Sequence, residues 1–191
     1  MKEEDKMKKT EVVFILDKSG SMCDLKKDAV GGYNELLSKL KGLEEELYVT
    51  TVLFNNSYEI LENRTKISEV KEMKYEDYLC GGSTALLDTI GFTIERFSEV
   101  EDRKVLFYIT TDGMENSSQV YTYKMISKMI KLYEKQGFEF NFLASGIDEK
   151  RVGNMMGIRD ENIHHVDASS KGQAKMFHKV YRSLASNISK E

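Results

Sequence analysis

Unbroken apolar runs alternate along the chain with stretches of helical spacing. Val12-Val13-Phe14-Ile15-Leu16 is the first run, and Glu11 to Asp17 reads as a strand apolar on both faces, as a central parallel strand should be. Leu25, Ala29, Tyr33, Leu36, Leu37 and Leu40 then recur with helical spacing, which predicts a long helix stopping near Gly42. Leu47 to Phe54 is a second strand, Asn55-Asn56-Ser57 a tight turn, and Tyr58 to Leu61 an antiparallel edge strand. Residues 64–80 are charged and irregular, with room for one short helix.

The second half repeats the alternation. Thr84 to Phe97 predicts a helix with Leu87, Ile90, Ile94 and Phe97 on one face, and Arg103 to Thr111 a strand. Tyr123, Ile126, Ile130 and Tyr133 mark the buried face of a further helix, which Gly137 stops. Phe138, Phe140 and Phe142 alternate in a strand ending at Ala144-Ser145-Gly146. A short helix at 149–156, a short strand at 162–167 and a last helix at 171–189 follow, the last marked by Ala174, Phe177, Tyr181, Leu184 and Ile188. Strand and helix alternating in this way call for an α/β fold: a doubly wound, mostly parallel sheet with helices on both faces. Residues 1–10 read as a charged N-terminal extension and 11–191 as one domain.

Composition narrows the function classes. A chain of 191 residues, 40% hydrophobic and 31% charged, has enough apolar surface for one substantial core. Its net charge of −4 and the lack of a basic stripe with interleaved aromatics argue against nucleic acid as a partner. No apolar run approaches the roughly 18 residues of a membrane span. The charged start lacks the apolar centre of a secretory signal, so a cytoplasmic location is expected. Proline is absent, which leaves turns to Gly, Asn, Asp and Ser.

Three loops carry the candidate chemistry. Asp17-Lys18-Ser19-Gly20-Ser21 follows the first strand, Thr110-Thr111-Asp112-Gly113 ends the fourth, and Gly81-Gly82-Ser83-Thr84 opens a helix between them. Open α/β sheets bind ligands at the carboxyl ends of their strands. Ser19 and Ser21 lie two apart, so a turn can aim both hydroxyls at one place, with Thr84 adding a third. Asp17 and Asp112 supply two negative charges, which match one divalent cation. Such hard oxygen donors suit magnesium or manganese ahead of calcium. Unpaired N–H groups in the first turn after Thr84 would help hold an anionic ligand beside the metal.

In these words the chain resembles a von Willebrand factor type A domain. That family's metal-ion-dependent adhesion site reads Asp-x-Ser-x-Ser, then Thr, then Asp, and here the positions are Asp17, Ser19, Ser21, Thr84 and Asp112. Thr84-Ala85-Leu86-Leu87-Asp88 after the double glycine is similar to the small stand-alone bacterial members. The resemblance spans residues 11–189. It implies a Rossmann-like sheet of six strands with one antiparallel edge strand. It also implies direct binding of the ion by Ser19, Ser21 and Thr84, with the aspartates often acting through water. The activity it implies is not enzymatic: the module docks a Glu or Asp carboxylate of a protein ligand on the metal. Two alternatives are a phosphotransferase of the haloacid dehalogenase type and a metal that is purely structural. The first asks for a general acid two residues after the first Asp, where this chain has Ser19.

Other residues read more plainly. Asp88 is either a brace for water beside the metal or a solvent-facing helix acid, and Glu115 and Asn116 are expected to start or cap the next helix. Ser145 reads as part of an ordinary turn. His164, His165 and His178 lack metal-ligand spacing and read as structural or exposed. The methionines are mostly core filler, with Met125, Met129, Met155 and Met156 a weaker candidate for a contact surface. Cys23 and Cys80 flank the candidate loops and are expected as reduced thiols, joined at most by a conditional disulfide.

Overall fold

In the computed structural model, residues 9–43, 45–100 and 103–188 are described. Six strands form one sheet: β1 (Thr10–Asp17), β2 (Leu47–Phe54), β3 (Tyr58–Lys66), β4 (Lys104–Thr111), β5 (Phe138–Ala144) and β6 (Ile163–His165). Their order is β3-β2-β1-β4-β5-β6, and only β2 and β3 pair antiparallel. This is the doubly wound α/β sheet with one antiparallel edge strand that the alternation and the resemblance predict. Residues 1–8 of the charged extension lie outside the described residues, and Thr10 already belongs to β1.

Two apolar layers explain why the sheet is buried on both sides. Val12, Phe14 and Leu16 of β1 join α1 (Lys26–Lys41) and α5 (Ser170–Ile188) through Tyr33, Leu36, Leu37, Phe177, Val180 and Leu184. Val13 and Ile15 point the other way, into a layer with α2 (Leu86–Glu95), α3 (Tyr123–Glu134) and α4 (Glu149–Met155). A period of two along one strand thus feeds both faces. At about 25 cal/mol per Å² of apolar surface removed from water, burial of these side chains is the main stabilising contribution.

From β1 the chain moves to β2 on one side and later to β4 on the other. The carboxyl ends of β1 and β4 therefore flank the switch point of the sheet, where the strands leave a crevice. At the opposite end of β1, Glu11 is fully buried and paired with Arg64 (2.7 Å) and Arg103.

Several boundaries shift. The edge strand predicted to end at Leu61 continues to Lys66, because β2 supplies its main-chain partners while its outward side chains are polar. A polar, partly exposed edge strand carries no apolar signal and is protected against pairing with other chains. The first helix is preceded by a 3-10 turn over Gly20–Leu25. No helix forms at 64–80 among the described residues; Ile67, Val70, Met73 and Tyr78 anchor that stretch to the core instead. Asn34 holds it too, donating to Met73 O (2.9 Å) and accepting from Met73 N (2.8 Å). The helix predicted at 84–97 occupies only Leu86–Glu95, the strand at 162–167 only Ile163–His165, and the last helix Ser170–Ile188, residue 189 lying outside the described residues.

Candidate metal centre

Asp17 ends β1 and is buried, with both carboxylate oxygens engaged. Its Oδ1 accepts from Ser19 N (2.7 Å) and its Oδ2 from Thr111 Oγ1 (2.5 Å). The Tyr78 hydroxyl donates to the Asp17 carbonyl. Lys18, next in sequence, pairs with Glu59 of β3, so its charge is spent away from Asp17. Sequence reasoning overlooked Thr111 and Tyr78 as parts of this site. Thr111 was legible as a hydroxyl beside Asp112, whereas Tyr78 carried no signal.

Backbone bonds knit the loops together. Gly20 N donates to Gly82 O (3.1 Å), Gly81 N to Lys18 O (2.9 Å) and Ala85 N to Asn55 O (2.7 Å). Gly82 sits at φ +77, a left-handed backbone conformation that favours glycine, and a methyl there would meet Asn56 Oδ1 at 2.3 Å. Cys23 and Cys80, expected as reduced thiols, are joined in a disulfide across a Cα separation of 5.4 Å. The bond ties the turn after Ser21 to the loop before Thr84.

The five expected residues meet. Ser21 Oγ donates to Asp112 Oδ1 (2.6 Å) and lies 3.3 Å from Ser19 Oγ. A methyl group placed on Gly113 would lie 3.1 Å from Thr84 Oγ1, 3.7 Å from Ser21 Oγ and 3.8 Å from Ser19 Oγ. Three hydroxyls thus lie within 4 Å of one point beside Gly113, with Asp112 bonded to Ser21 and Asp17 to the Ser19 main chain. Ser19 and Thr84 are buried, Ser21 is exposed, and Asp112 and Gly113 are half-buried, so the space opens to solvent. Burial pushes the carboxyl pKa of Asp17 upward, and Asp112 adds to the rise while bonds from Thr111 and Ser19 oppose it. Burial likewise raises Asp112, against the bond from Ser21. Among the described residues no group of three or more His, Cys, Asp or Glu side chains is placed to hold a metal. A cation here would rest on hydroxyls and two carboxylates, a donor set that suits a hard ion.

The loop after Asp112 differs from expectation. Glu115 does not cap the following helix. Its carboxylate accepts from Leu87 N (2.9 Å), Ser117 N (2.9 Å) and Ser118 N (2.7 Å), which places it at the amino end of α2. Asn116 Oδ1 accepts from Thr84 N (2.8 Å), and Ser118 Oγ accepts from Asp88 N (3.0 Å). Of the N–H groups assigned to an anionic ligand, those of Thr84, Ala85, Leu87 and Asp88 are therefore already taken. Asp88 in turn accepts from Gln119 N, Val120 N and Tyr121 N at 2.7–2.9 Å, so it fixes the loop and is neither a water brace nor an idle surface acid. Ser145 is buried in a turn, its N–H bonded to Thr111 O (3.1 Å).

The fold is of von Willebrand factor type A-like architecture. It is similar to the PilB minor pilin from Streptococcus sanguinis, with a TM-score of 0.73 and 13% identity over 98% of this chain and 64% of that one. It is also similar to proximal thread matrix protein 1 from the mussel byssus with a zinc-occupied MIDAS motif (TM-score 0.68, 13% identity, 93% of this chain and 46% of that one). BatB from Bacteroides thetaiotaomicron matches over its full length and 95% of this chain, at a TM-score of 0.61 and 15% identity. The chain spans about two thirds of the pilin chain and about half of the matrix protein chain. No protein-family model matches the chain, and no curated protein is similar to it in sequence.

Proposed function

We propose that this chain is a divalent-cation-dependent protein-binding module. Ser19, Ser21 and Thr84 would hold magnesium or manganese directly, and Asp17 and Asp112 would balance its charge. The observation that carries this reading is the ring of three hydroxyl oxygens above Gly113, drawn from loops far apart in sequence. When bound, the ion supplies an open coordination position for a Glu or Asp carboxylate of a partner protein.

The chain's own residues do the rest. Asp17, clamped by Ser19 N and Thr111 Oγ1, would lower the cost of bringing a cation to a partly buried place. Asp112 orients the Ser21 hydroxyl. The wiring of both Asp17 oxygens to protein donors favours its action through water over direct ligation. A zinc-occupied site of the same name in a protein of similar fold lends support, at 13% identity, to the cation alone. The phosphotransferase alternative is disfavoured because the group two residues after Asp17 is a hydroxyl, a poor general acid near neutral pH.

Affinity capture with the immobilised protein, in magnesium or in chelator, tests the reading. Partners retained in magnesium, released by chelator and not retained by Asp17→Ala are the expected result. Equal retention under all three conditions contradicts it.

A further inference from the structure

We propose a second, metal-independent docking surface: the groove between α1 and α5, which fits an acidic, partly apolar segment of a partner polypeptide. The groove encloses about 640 Å³ and has Leu36, Ala174 and Phe177 among its lining residues. Its rim is formed by Lys171, Lys175, Lys179 and Arg182 of α5, with Lys39 opposite on α1.

The charge pattern of α5 is what sets it apart. The helix holds four Lys or Arg residues and no Asp or Glu, in a chain whose net charge is −4. Steps of four, four and three place the four cations along one exposed stripe. Like charges four apart on a helix repel, and Lys171 stands in the first turn, where the helix dipole disfavours a cation. The stripe therefore works against the helix that carries it, and among the described residues only Lys175 of its four cations reaches an acidic side chain.

Few acids answer these charges. Glu35 is bonded to Lys39 (2.6 Å), and Asp167 lies 3.9 Å from Lys175. Asp28 accepts from Ser170 Oγ. Lys171, Lys179 and Arg182 have no acidic partner within ion-pair distance among the described residues. A partner carrying Glu or Asp would supply the missing charge, and its apolar residues would lie against Ala174 and the aliphatic stems of the rim lysines.

The shape favours a polypeptide over two other anions. The large apolar residues of α5, Met176, Phe177, Val180 and Leu184, are packed inward, which leaves nothing to insert into a lipid surface. The aromatic in the floor, Phe177, is only 6% exposed, too little to stack on a base.

Fluorescence anisotropy with a labelled peptide repeating Glu-Glu-Leu tests this, in chelator so that the candidate metal centre plays no part. We expect binding that weakens with added salt and falls about tenfold in the K175E/K179E double variant. The K175Q/K179Q pair, which leaves the fold unstrained, should fall in the same direction by less. Failure of the peptide to bind, or binding unchanged in both double variants, overturns the proposal. Binding of phosphatidylserine vesicles or of duplex DNA without binding of the peptide overturns it as well.

Discussion

The Ser21 hydroxyl donates a 2.6 Å hydrogen bond to Asp112 Oδ1, across 91 positions of sequence. The bond joins the loop after β1 to the loop after β4 at the point where the sheet changes winding direction. A hydroxyl held this way is oriented before any cation arrives, which reduces the ordering cost of binding.

Gly113→Ala separates the space from its ligands. All five oxygen-bearing residues stay, but the new methyl sits 3.1 Å from Thr84 Oγ1, within the ring of hydroxyls. The variant should melt within about 1 kcal/mol of the parent, as a mildly crowded substitution does. Its stabilisation by magnesium in a thermal melt should vanish. A magnesium shift equal to the parent's would show that the cation sits elsewhere.

Thr111→Val keeps the shape and removes the donor to Asp17 Oδ2. A buried carboxylate losing a hydrogen bond should cost about 1–3 kcal/mol, measured by urea denaturation. Cation affinity should fall too, because the Asp17 oxygen is no longer fixed. An unchanged denaturation midpoint would mean that the bond contributes nothing.

Asp88→Ala leaves three backbone N–H groups of residues 119–121 without their acceptor. These groups are partly exposed and water replaces some of the loss, so about 2 kcal/mol is expected. Hydrogen exchange should accelerate at Gln119, Val120 and Tyr121. Exchange rates equal to the parent's would contradict the brace.

The Cys23–Cys80 disulfide closes a loop of sequence separation 57. On the chain-entropy estimate, reduction should lower stability by about 4 kcal/mol. It should also weaken cation binding, since it unties the Ser21 turn from the Thr84 loop. Alkylation and mass spectrometry of protein taken from its native compartment reads the state directly. A bonded pair fits an oxidising compartment, and free thiols fit a reducing one.

Much of this was legible in the sequence, for identifiable reasons. β1, β2 and β4 are buried on both faces, so their apolar runs marked them almost to the residue. Asp17, Ser19, Ser21 and Asp112 sit at or just after strand ends, so their convergence followed once the strands were placed, whereas Thr84 was read from the start of its helix. β3 beyond Leu61 was hidden because its pairing is main-chain and its side chains are polar. The roles of Asp88, Glu115 and Asn116 were hidden for another reason. Each bonds backbone N–H groups about thirty positions away, and an N–H group has no sequence identity to read. The cysteine pair shows the same limit, since proximity in space decides bonding and spacing in sequence does not.

Titration of the protein with manganese, followed by the loss of the free-ion paramagnetic resonance signal, addresses the central claim most directly. The account predicts one saturable site in the parent, competed by magnesium, and its loss in both Asp17→Ala and Thr84→Ala with the helical circular dichroism unchanged. Absence of a saturable site in the parent, or its persistence in both variants, would contradict it.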